Sequence, residues 1–141
     1  MDGKFNQLLE YQLGAKYTKQ YIYDNHDVMG REFDFLVSNA TAIQYAHEVC
    51  GRPLPELYRD YTHLNDFARV IASYHMYAAI MGIDQISEMN VDAVPANLKH
   101  KNSKYPAADA NGNYTITQQM KDDLIASVNW ALANPLNLPE K

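Results

Sequence analysis

Apolar residues recur along this chain at steps of three and four, the spacing that gathers them on one face of an α-helix. Phe5, Leu8, Leu9, Leu13, Tyr17 and Tyr21 keep that rhythm and predict a first helix over about Lys4 to Tyr23, capped by Asp2. Gly14 weakens this helix without breaking it. A turn at Asn25-His26-Asp27 leads into a second helix, whose seam is Met29, Phe33, Leu36, Ala40, Ile43, His47 and Cys50. Gly51 suits the position just past its end, and Pro53 and Pro55 prevent continuation.

A third helix is predicted from about Pro55 to Met81, with Pro55 in its first turn. Its first stripe is Leu57, Tyr61, Leu64, Ala68, Ile71, His75 and Ala78; a second, beside it, is Phe67, Val70, Tyr74, Tyr77 and Met81. Two adjacent stripes make the wide apolar face of a central helix, closed by Gly82. From Gln85 to Thr115 the rhythm fades, with Pro95, Pro106 and an Asn111-Gly112 turn suited to a small hairpin. Thr115-Ile116-Thr117-Gln118 has the form of a capping box, opening a last helix to about Ala133 with Met120, Leu124, Val128 and Leu132 inward. The pattern predicts an all-α fold: one compact domain, residues 1–141, of about four main helices with an irregular segment between the third and fourth.

Composition narrows the setting. A chain of 141 residues can bury about two thirds of its unfolded surface without disulfides or metals. Cys50 is the single cysteine and cannot bridge within the chain, which favours a reducing compartment. The start, Met1-Asp2-Gly3-Lys4-Phe5-Asn6, lacks an apolar signal core, and the apolar run Tyr77 to Ile83 is far short of the roughly 20 residues of a membrane span. A formal charge of −5 disfavours non-specific nucleic-acid binding. The expected location is cytoplasmic. Eleven tyrosines, each a large ring with a wet hydroxyl, fit both core rims and interfaces.

Candidate chemistry is sparse. His26-Asp27 pairs as in HD phosphohydrolases, but no histidine stands upstream of it. Arg69 and His75 have the order of the HEPN ribonuclease pair, yet six positions at about 100° each leave them on different helix faces. Asp109 to Asn113 looks like a calcium loop, but glycine falls fourth and Met120 takes the place of the bidentate glutamate. One metal set is conceivable: His47 and Glu48 on one helix, with His63 and Asp66 three apart on its neighbour. The commoner reading of His47 is a core histidine bonded to a carbonyl, and no cofactor is expected.

The run from Asp66 to Asp84, followed by Ala93 to Pro106, resembles the closing helix and tail of MazG-type all-α nucleoside-triphosphate pyrophosphohydrolases. It covers about a third of the chain. The family holds magnesium with Glu-x-x-Glu on one helix and Glu-x-x-Asp on the next. The matching places here read Ser38-Asn39-Ala40-Thr41 and His63-Leu64-Asn65-Asp66, so the resemblance implies the fold with a degenerate or variant metal site.

The last feature is a basic run in an acidic chain: Lys99, His100, Lys101 and Lys104 beside Tyr105. Loops on rigid scaffolds often carry binding, and this segment is the expected contact surface for an acidic partner. The leading expectation is a small non-enzymatic protein that acts by binding another protein, as phage or mobile-element accessory, inhibitor, immunity or virion-adaptor proteins do, with homo-oligomerisation as a further option. The alternative is a MazG-like pyrophosphohydrolase fold.

Overall fold

The computed structural model describes residues 17, 21, 24, 39–60, 63–87, 91, 94, 97–99, 111 and 113–134. These form an all-α bundle: α1 (Asn39–Glu48), α2 (Leu54–Leu57), α3 (Asp66–Met81) and α4 (Gln118–Ala133), with a two-stranded antiparallel ladder of β1 (Asn97–Lys99) and β2 (Asn113–Thr115). The predicted first helix lies outside the described residues except for Tyr17 and Tyr21, which are helical, as is Asp24 just past its expected end. Of the second, the part from Asn39 onward is α1.

α1 packs on both α3 and α4, which also pack on each other. Ala42 and Ala46, four apart and fully buried, let the partner helices approach closely, while Ile43 fills the space between. The core continues through Phe67, Ala68, Ile71 and Ala78 of α3 and Met120, Leu124, Val128 and Ala131 of α4. Tyr45 and Trp130 stack across the α1–α4 contact with ring centroids 5.3 Å apart. His75 is buried among these residues, as its place in the apolar stripe predicts.

Three expectations change. The long third helix is broken between Leu57 and Asp66. Tyr58 and Leu64 form an antiparallel bridge, Arg59 N–H donates to His63 O, and the Asp60 carboxylate accepts from His63 N–H at 2.8 Å. This side-chain bond offers the backbone a turn in place of a helix. Asn65 then holds the entry to α3, its side-chain amide donating to Pro55 O at 2.9 Å. Leu57 still faces the core, so the stripe survives although the helix does not.

The cap of α4 is Thr117, whose hydroxyl accepts from Met120 N–H at 3.2 Å, while Thr115 belongs to β2. The strands pair Asn97 with Thr115 and Lys99 with Asn113, so residues 100–112 separate them; Asn111 is in a turn and Gly112 lies outside the described residues. Leu98 and Tyr114, opposite each other, are both buried against the bundle. The stops at Gly51 and Gly82 hold: both have positive φ, +74° and +64°, where a Cβ is strained.

Candidate interaction surface

A buried ionic cluster joins α1, α2 and α4. Just past Gly51, Arg52 N–H donates to Ala46 O, which turns the arginine inward. Its Nε lies 3.2 Å from Asp123 Oδ2 and 3.5 Å from Glu56 Oε2, both carboxylates being buried. Gln119 donates to Asp123 Oδ1 at 2.9 Å, and the Ser127 hydroxyl donates to Asp123 O at 2.6 Å. Cys50 Sγ sits 3.9 Å from the Ser127 hydroxyl, and burial raises its thiol pKa. Sequence reasoning missed this cluster because Arg52, Glu56 and Asp123 meet only across the α1–α2–α4 junction. Its groups are turned on one another, which makes it a fastening between helices.

The conceivable metal set is not gathered. His47 Nδ1 is 2.7 Å from Arg52 O; a carbonyl can only accept, so Nδ1 carries the proton, the arrangement expected of a core histidine. Its Nε2 lies 3.9 Å from Glu48 Oε1. His63 is not on the helix with Asp66 but exposed in the loop before it, 2.8 Å from Asp60. Asp66 opens α3 and faces Arg69 at 3.4 Å. Among the described residues no three His, Cys, Asp or Glu side chains are placed to hold a metal ion. Of the positions matched to the pyrophosphohydrolase Glu-x-x-Glu carboxylates, Thr41 lies on α1 and Ser38 is outside the described residues. In the basic run Lys99 ends β1, while His100, Lys101, Lys104 and Tyr105 lie outside the described residues.

The surface that stands out was expected to be core. Tyr77 and Met81 continue the second apolar stripe of α3, yet they are 51% and 59% exposed, and Met76 and Ile80 beside them are 46% and 54% exposed. At about 100° per residue these four occupy one sector of the helix, opposite Phe67, Ala68, Ile71, His75 and Ala78. The same sector nearer the N-terminus carries Arg69 and Ser73. Half-buried Val70 also lies in this sector, packed against the core, so the large exposed apolar side chains are confined to the last two turns of α3. Four large side chains at about half exposure present roughly 400 Å², a patch of the size that marks interaction sites on soluble proteins.

Beside this patch runs a groove of about 560 Å³, lined by Ala78, Ala79, Gly82 and Ile83, then Asp84 and Gln85, with Leu132 and Ala133 across from them. Its form is fixed locally. The Ile83 N–H returns to Ala78 O at 2.8 Å, completing the cap at Gly82. Three residues on, Asn129 of α4 grips Ile86 at both ends, accepting from its N–H at 2.7 Å and donating to its carbonyl at 3.2 Å. With Ile86 buried, the Ile83–Gln85 wall is tied to both helices.

No helix among the described residues is long and apolar enough to cross a membrane. Compared with protein families, curated proteins and solved structures, the chain matches none.

Proposed function

We propose that this protein works by binding another macromolecule, and that its contact surface is the outer face of the second half of α3. The observation that supports this reading is the contiguous exposure of Met76, Tyr77, Ile80 and Met81 on a helix whose opposite face is buried in the core. Leaving them in water forgoes the burial that holds the opposite face, and a partner covering them recovers it. Aromatic and methionine side chains are also the types enriched in interfaces.

The test is a Met76→Lys/Ile80→Lys variant. Both positions are exposed, so the thermal midpoint should stay near that of wild type. Wild-type and variant proteins are immobilised and challenged with the same lysate. One defined protein retained in stoichiometric amount by wild type, and lost from the variant, supports the reading. Equal retention by both removes the α3 face from consideration.

A further inference from the structure

Resting on that reading, we infer that the groove at the paired ends of α3 and α4 takes a lysine or arginine side chain from a partner segment that is otherwise apolar. The electrostatics of the groove select the charge. Ala78, Ala79 and Gly82 line it together with Leu132 and Ala133, so two helix C-termini, each the negative end of a helix dipole, lie side by side. Neither helix carries a basic residue in its last turn, where one commonly offsets that field. Asp84, exposed on the groove wall, adds a full negative charge. Three negative contributions converge on one cleft.

The lining selects the rest of the ligand. Ala78, Ala79, Ile83, Leu132 and Ala133 offer aliphatic surface to the methylene stem of a long cationic side chain, whose head then reaches Asp84. On the α3 surface Ala79 lies between Met76 and Ile80 on one side and the groove on the other, so the apolar patch adjoins the cleft. A helix or strand with apolar residues on Met76, Tyr77, Ile80 and Met81, and one cation turned toward Asp84, matches both features. The Asn129 clamp on Ile86 holds the wall in place beforehand, which lowers the ordering cost of binding.

The experiment uses the full chain with two synthetic peptides of identical length and pattern, one of leucine and lysine, the other of leucine and glutamate. Binding is followed by fluorescence anisotropy of labelled peptide at low and moderate salt. The leucine–lysine peptide should bind saturably and at least tenfold more tightly than its acidic counterpart. Asp84→Lys should weaken it at least tenfold, and so should Ile80→Ser, both with an unchanged thermal midpoint. Asp122→Lys, an exposed aspartate on the first turns of α4, makes the same change in net charge and should leave affinity as it was. Equal loss in the Asp84 and Asp122 variants would reduce the effect to overall charge and overturn the inference. Equal binding of both peptides, abolished by Ile80→Ser, would overturn the cationic preference while leaving the α3 face as a docking surface. Sedimentation of the protein alone, run alongside, covers the remaining occupant: self-association lost in Ile80→Ser would make a second copy the ligand and also overturn it.

Discussion

Replacing Arg52 by methionine keeps most of the aliphatic stem and removes the guanidinium that faces Glu56 and Asp123. Both carboxylate oxygens lie within 3.5 Å of one arginine nitrogen, so without it two buried negative charges are left close together. Breaking a buried pair in this way costs about 3–5 kcal/mol. The arginine side chain is 22% exposed and Gln119 still donates to Asp123, which puts the expected loss near the lower end, about 3 kcal/mol. Set against a total stability of roughly 5–15 kcal/mol, that is a large fraction. The measurement is urea unfolding followed by far-ultraviolet circular dichroism, with the slope held common to both proteins. A loss under about 0.5 kcal/mol, the level of surface substitutions, would refute the reasoning.

Ile71→Ala, at a fully buried position on the inner face of α3, should cost about 2–5 kcal/mol in the same assay; a surface-sized loss would contradict the packing. Thr117→Ala removes the hydroxyl that caps α4 and should cost about 0.5–2 kcal/mol, with Thr117→Ser restoring most of it. Burial pushes the Tyr58 phenol up to about 12 from its ordinary 10.0. Because the folded state favours the neutral phenol, its contribution is complete below pH 10 and lost as pH rises through 12. Tyr58→Phe should hold its circular dichroism signal to higher pH than wild type, and coincident alkaline transitions would count against that assignment.

Much of the bundle could be read from local pattern. The inward positions of α4, its end at Asn134, the glycine stops at 51 and 82 and the burial of Ile43, Ile71 and Leu124 all follow from residues a few places apart on one helix. Periodicity carries this information because a helix is built from bonds over four residues. It cannot show whether a neighbour exists to cover an apolar stripe. Tyr77 and Met81 have the same spacing as buried Phe67 and half-buried Tyr74, yet among the described residues α1 and α4 pack on the opposite face and leave Tyr77 and Met81 exposed. The break at Tyr58–Leu64 was hidden for a related reason: Leu57 and Leu64 keep helical spacing, while the Asp60 turn and the reach of Asn65 to Pro55 decide the path. The Arg52–Glu56–Asp123 cluster, the Asn129 clamp on Ile86 and the groove at the helix ends exist only once distant segments have docked. The sequence by itself determined that α1, the Asp66–Met81 stretch and α4 are helical and which of their faces are apolar. The tertiary structure decided which of those faces is covered, and so which is open to a partner, because burial depends on neighbours that local spacing does not specify.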